Sequence, residues 1–191
     1  MERVTRAEIR SLEDYEVGRA EFRRYIADVK GARRVAVGPW IALMFENHDT
    51  VRYQIQEMLR AERIFEPHRI QEEIDIYNEL IPEAGELSAT LFIEIAQLDE
   101  LRANLPKLIG VENAVWLDLG PRQIHAVAED GRSTEVKTST VHYLRFPVGD
   151  AAPLLRALDQ PARLRVDHPS YQAAADLSPT TRQALADDLG G

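Results

Sequence analysis

The sequence predicts an α+β fold, a helix-rich amino-terminal half packed on a mostly antiparallel sheet. Three observations carry this. Before residue 85 the apolar residues recur at helical spacing, as in Val51, Ile55, Met58 and Leu59, or Ile70, Ile74 and Tyr77. From Glu86 the period drops to two, with Leu87, Ala89, Leu91, Ile93 and Ile95 alternating with smaller or polar neighbours. Hairpin-type turn signals, Gly38-Pro39, Gly120-Pro121 and Asp130-Gly131, punctuate the apolar runs. A chain of 191 residues with 45% hydrophobic and 29% charged content suits one domain, expected over residues 1–168 (helical 1–85, strand-rich 86–168). Residues 169–191 are expected to form a carboxyl-terminal tail with a short helix.

Thr5-Arg6-Ala7-Glu8 is a capping box, with Val4 and Ile9 spaced as a hydrophobic staple. Ser11-Leu12-Glu13-Asp14 repeats the start signal, so a short first helix hands over to a second that runs to about Lys30, with Gly31 as its stop. Arg34–Val37 and Ile41–Glu46 flank Gly38-Pro39 as a hairpin. A helix is expected from Thr50 to Phe65, capped by Asp49 or Thr50. Another starts at Pro67, where proline's missing N–H costs nothing. After the strand at 86–95 comes a helix with Leu98, Leu101, Leu105 and Leu108 inward, shortened by Pro106. Ala114–Leu119 and Gln123–Glu129 read as a second hairpin, Ser139–Val148 and Ala162–Val166 as strands, and Ser178-Pro179 as the start of a last helix. The order over residues 86–166 is close to a ferredoxin-like, split βαβ layout with one extra strand.

Composition excludes several chemistries. With no cysteine there is no disulfide, thiolate zinc site, protein-held iron–sulfur cluster or cysteine nucleophile. A net charge of −9 argues against a general nucleic-acid binder. The longest charge-free run, Val35 to Phe45, is too short to span a bilayer, so no membrane insertion and a cytoplasmic location are expected. Phosphate-loop, nucleophile-elbow, H-E-x-x-H and dinucleotide motifs do not occur. Residues 46–100 hold fourteen acidic residues against four basic ones, so the acidity is concentrated there. Such a block is a solvated face or a docking surface for a basic partner.

Glu46, His48 and Asp49 combine carboxylate and imidazole groups suited to a divalent metal, although Asp49 also fits a helix cap. Beyond that alternative no cofactor is expected. Arg52, Gln56, Arg60 and Arg63 form a polar-basic stripe that suits an anion, yet the neighbouring acids in Asp49–Arg52, Glu57–Arg60 and Arg63–Glu66 also account for it. His125 and His142 are positioned to share a sheet face; His168 lies near a further strand and His68 on a helix.

Several runs carry a resemblance. Arg34–Pro39, Phe45–Thr50, Tyr53-Gln54-Ile55-Gln56-Glu57-Met58-Leu59-Arg60-Ala61-Glu62-Arg63-Ile64, Tyr77–Pro82, Gly85–Leu91 and Tyr143–Phe146 resemble the bacterial DUF3501 family, a domain of unknown function, over most of residues 3–148. The resemblance implies a context: genes of this family often neighbour those of rubrerythrin-like proteins and iron–sulfur oxidoreductases. The expected role is a non-catalytic accessory or partner-binding protein of a redox or peroxide-defence module. Its binding residues, or a polar network in their place, are expected at Arg52, Tyr53, Gln54, Gln56, Glu57, Arg60 and Arg63. A metal-dependent enzyme at 46–49 and an anion sensor at Arg52, Arg60 and Arg63 are the alternatives.

Overall fold

The computed structural model describes residues 1–129 and 138–190. It confirms an α+β protein with two antiparallel sheets. Thr5 and Glu8 form the expected capping box around a 3-10 turn, and Val4 and Ile9 are both buried. Helix α1 (Leu12–Gly31) is capped by Ser11, whose hydroxyl accepts from the Asp14 amide. Gly31 is its last residue rather than a residue beyond it.

The hairpin of β1 (Arg34–Val37) and β2 (Ile41–Glu46) forms as predicted, with Val37 opposite Ile41. Helix α2 (His48–Glu62) starts earlier than expected. Its cap is Asn47, whose side chain accepts from the Thr50 amide while Thr50 Oγ1 accepts from the Asn47 amide. That reciprocal pair overrides Asp49 and Thr50 as caps, because it satisfies two otherwise orphaned donors at once. The helix stops short of Phe65 because Arg63 turns left-handed at φ 54°. Helix α3 (Pro67–Asn78) begins at its proline. Strand β3 (Glu86–Ile93) follows, then α4 (Leu98–Asn104), which tightens into a 3-10 turn at Leu105–Leu108 where Pro106 enters.

The chain then builds β4 (Val115–Leu119), β5 (Arg122–His125), β6 (Val127–Ala128), β7 (Val141–Pro147), β8 (Ala162–His168), β9 (Tyr171–Asp176) and helix α5 (Pro179–Asp188). One sheet has the order β1-β2-β3-β7-β6 and the other β5-β4-β8-β9. The expected strand 123–129 is therefore split. It pairs with β4 as β5, crosses at buried Ala126, and joins β7 as β6, its alternation unbroken through Ile124, Ala126 and Ala128. The turn read at Asp130-Gly131 lies outside the described residues. The strands of 86–166 divide between two sheets and every recorded pair is antiparallel, so the split βαβ layout, which needs a parallel pair, does not form. Within 169–191 the short helix forms, preceded by β9, which the sequence reading lacked.

The two sheets face each other over one apolar cluster. Leu43, Phe45, Leu91 and Phe146 from the first meet Leu117 and Leu164 from the second. Each is buried, at roughly 1.5–3 kcal/mol per side chain. A second cluster, including Val51, Ile55, Leu59, Ile70 and Ile74, packs α2 and α3 with Tyr143 on the other face of the first sheet. The result is three layers: helices, a five-stranded sheet and a four-stranded sheet. No helix among the described residues is long and apolar enough to cross a membrane.

Candidate functional site

Glu46 ends β2 and turns its carboxylate under α2. It accepts from Thr50 Oγ1 and Thr90 Oγ1, each at 2.6 Å, and from Gln54 Nε2 at 3.5 Å. The group is 2% exposed, and burial pushes its pKa up against these hydrogen bonds and the Lys30 charge. His48 and Asp49 point elsewhere: His48 Nε2 lies 2.9 Å from Glu8, and Asp49 holds Tyr25 at 2.6 Å and Arg52 at 3.1 Å. Glu46 therefore parts from the other two members of the expected metal trio, Glu46, His48 and Asp49, while His48 Nδ1 stays 3.8 Å from Asp49 Oδ1. Extended-chain spacing would put 46 and 48 on one side, but the helix begins at 48. Among the described residues no three His, Cys, Asp or Glu side chains gather to hold a metal.

The raised Glu46 pKa gives a signed prediction. The native fold favours the protonated carboxyl more than the unfolded chain does, so this group's contribution declines as pH rises above the ordinary glutamate range. Glu46→Gln keeps the hydrogen-bonding shape without the charge. It is expected to stabilise the protein at pH 8 and to be close to neutral at pH 4, read from urea melts. An equal effect at both pH values would contradict this origin.

The polar run on α2 is spent inside the molecule. Gln56 clamps the Arg10 backbone, accepting from its N–H at 3.0 Å and donating to its C=O at 3.2 Å. Glu57 accepts from Tyr15 at 2.6 Å and from Arg19 through two 2.8 Å bonds. Arg60 reaches Glu16 at 2.6 Å. Tyr53 meets Phe22 edge-on at 5.8 Å and lies under Lys30, while Arg52 covers the Phe22 ring at 5.0 Å. Arg63 stays exposed in the left-handed turn. Of the three short-range pairs read from sequence, only Asp49–Arg52 forms. Glu57 and Arg60 pair across to α1 instead: the bidentate Arg19–Glu57 pair outweighs the few tenths of a kcal/mol of an i,i+3 pair and leaves Arg60 to Glu16. Asn78, on α3, clamps Val4 as Gln56 clamps Arg10, with both bonds at 2.9 Å.

The opposite side of α2 opens on a cleft of about 470 Å³, between α2, α3 and β7. Glu62, Glu73, Glu79 and Glu129 line it, with Tyr77 and Tyr143. Its two guanidinium groups are already engaged: Arg3 with Glu83 at 3.2 Å, Arg145 with Glu86 at 3.3 Å and with the Glu79 carbonyl at 2.6 Å. Burial, then the Glu62 charge, pushes the Glu73 carboxyl up, and burial followed by Glu73 does the same to Tyr77. The nearest cation to Glu62 is Arg69 at 4.0 Å. Among the described residues, Glu62 and Glu73 thus give the wall beside Tyr77 a negative potential that Arg69 only partly offsets.

The sequence profile described as "Protein of unknown function (DUF3501)" matches residues 3–189. The chain belongs to the DUF3501 family. A crystal structure of a protein of unknown function from Burkholderia pseudomallei K96243 superposes with a TM-score of 0.91 at 38% identity, covering 98% of this chain and 100% of that one. No curated protein matches.

Within this DUF3501 protein, the family-like run Tyr53–Arg60 fastens α1 and the amino-terminal segment by one face, while Met58 and Glu62 on the same helix line the cleft. Sequence reasoning about the site missed Tyr15, Arg19 and Asn78 as partners, and Tyr77, Tyr143 and Arg145 as cleft walls. A signal existed for some of them: Tyr77-Asn78-Glu79 and Tyr143-Leu144-Arg145 stand among the runs that carry the family resemblance.

Proposed function

We propose that this protein is a non-catalytic accessory that binds a partner through the acidic cleft, accepting a lysine or arginine side chain of that partner. The observation carrying this reading is the wall of Glu62 and Glu73 beside Tyr77, only partly offset by Arg69 among the described residues, next to guanidinium groups already engaged elsewhere. A cation there relieves mutual carboxylate repulsion and meets the Tyr77 ring, suited to cation–π contact. Exposed Ile76, at 60%, gives the cleft an apolar lip.

The partner class follows from the family's gene context: an iron–sulfur oxidoreductase or a rubrerythrin-like protein of a cytoplasmic redox or peroxide-defence module. The absence of cysteine supports that division of labour, because a thiolate-held cluster must then belong to the partner. The test is titration of the purified neighbouring gene products against this protein at low and high salt. Binding is expected to weaken at least about tenfold as salt screens the charges, and likewise on neutralising the cleft with Glu62→Gln, Glu73→Gln and Glu79→Gln together. No binding by either class, or binding indifferent to the triple variant, would end the proposal.

A further inference from the structure

Strand β9 leaves one flank of its backbone unpaired. Beyond its end, Leu177 lies opposite Ala162 and donates its N–H to the Ala162 carbonyl at 2.8 Å. Antiparallel ladders alternate, so the bonded pairs along the β8–β9 hairpin are Leu164–Ala175, Val166–Ala173 and His168–Tyr171. The residues between them, Gln172, Ala174 and Asp176, aim their N–H and C=O groups away from β8. Those groups have no backbone partner among the described residues, and all three residues are exposed.

Exposed edges are ordinarily kept from pairing by shortness, bulges, proline or free charges. The other edge strands are short, four residues in β1 and β5 and two in β6. β9 has six residues in an unbroken register, with no proline or lysine among them. Its one charge, Asp176, is already paired with Arg163 at 3.2 Å. We propose that this free edge is an interface with a second copy of the chain, the two β9 strands pairing antiparallel about a twofold axis at Ala174.

The strand is complementary to itself. Only residues with outward-facing backbone groups can pair, which restricts the register to steps of two. Centring on Ala174 sets Gln172 opposite Asp176 of the other copy and Ala174 opposite Ala174, giving about six hydrogen bonds, two for each bonded pair. Each Gln172 amide then meets a carboxylate. The two Asp176 carboxylates stand about 13 Å apart along the strands, beyond the ~8 Å screening length at physiological salt. Sliding by two residues either way loses a bonded pair, and one of those slides also halves the spacing between the carboxylates.

The neighbouring layer leaves the approach open. The β1–β2 turn tucks beneath β9, where a Cβ on Gly38 would lie 2.5 Å from the Tyr171 hydroxyl and 2.9 Å from the Ala173 Cβ. It closes the sandwich under the strand without covering its edge. Ala173 and Ala175 face that way, half-buried against the core, and a second strand covers them further. The acidic cleft lies between α2, α3 and β7 and takes no part in this interface. Pairing through one strand buries less than the ~1,200 Å² of a stable complex, so the dimer is expected to be weak and concentration-dependent.

Sedimentation velocity of the full chain, from about 1 to about 500 µM, is expected to show monomer giving way to dimer. Ala174→Lys keeps its side chain on the solvent face and sets two ammonium groups together at the axis. It is expected to weaken association at least about tenfold while circular dichroism and melting stay those of the parent. Ala174→Pro removes the axial N–H, which the β8–β9 ladder does not use, and is expected to do the same. Because the chain has no cysteine, Ala174→Cys carries a single thiol. A short bis-maleimide is expected to join that variant into dimers, and to leave Gln123→Cys, on the exposed edge strand β5, monomeric. A parent that stays monomeric over the whole range overturns the proposal. So does a dimer that folded Ala174→Lys leaves intact, or cross-linking through Gln123→Cys as efficient as through Ala174→Cys.

Discussion

Arg182→Ala is expected to destabilise the protein by about 3–4 kcal/mol, by loss of charge-assisted hydrogen bonds and exposure of unpaired carbonyls to an apolar interior. The side chain is 5% exposed on α5 and has no carboxylate partner among the described residues. Its Nε donates to the Leu155 carbonyl at 2.9 Å, and its terminal nitrogens reach the carbonyls of Gln160 and Leu154, each at 2.9 Å, and Ala157 at 2.6 Å. Those oxygens end the 3-10 helix Gly149–Leu155 and the turn after it, where the Ala157 carbonyl also accepts the Gln160 amide at 2.9 Å. A buried cation at a helix carboxyl terminus is also favoured by the backbone dipole. For a chain of this size the loss corresponds to a melting temperature lower by roughly 6–16 °C. Arg182→Lys is expected to recover less than half, since an ammonium cannot span four carbonyls in a plane. Melting within about 2 °C of the parent for the alanine variant would show that water replaces the guanidinium without loss.

Nothing in the local sequence announces that role. Arg182 follows Thr180-Thr181 in a segment whose cap signal, Ser178-Pro179, is plain and whose burial is not. The same division runs through the fold. Features set within a few residues were legible: the Gly38-Pro39 hairpin, the alternation of β3, the proline start of α3. Features set by distant partners were not. Strand β9 reads Tyr-Gln-Ala-Ala-Ala-Asp, with little intrinsic strand preference, and is held by pairing with β8 and by the Tyr171 hydroxyl, which donates to the Val37 carbonyl at 2.5 Å. Local alternation at 122–128 likewise gave the inward face correctly but not the sheet to which each half belongs. At the candidate site, sequence located the polar helix, yet it took the partner positions on α1 and β7 to show which face is spent and which is open.

Glu57→Gln separates those two faces. The Arg19 guanidinium, assisted by the Tyr15 hydroxyl, holds the Glu57 carboxyl down at about 2 against the opposing effect of burial. An unfolded-state glutamate titrates near ~4.3, so the native contribution is complete above that value and is lost as pH falls toward the folded one. The substitution is expected to cost about 2 kcal/mol at pH 7 and clearly less at pH 3, measured by denaturant melts. Arg19→Met is expected to cost a similar amount, and the double variant less than the sum, because both remove one contact. An unchanged penalty at pH 3 would mean that packing, not charge, fastens α1. Since α1 rests on α2 mainly through Glu57, Arg60, Tyr53 and the Phe22 ring, exchange of α1 amides should rise first, ahead of the sheets. Met58 and Glu62 face away, toward the cleft, so partner affinity in Glu57→Gln should stay within about twofold of the parent at neutral pH. Loss of partner binding with the sheets intact would transfer the docking role from the cleft to the α1–α2 face, and so decide which side of the helix the partner reads.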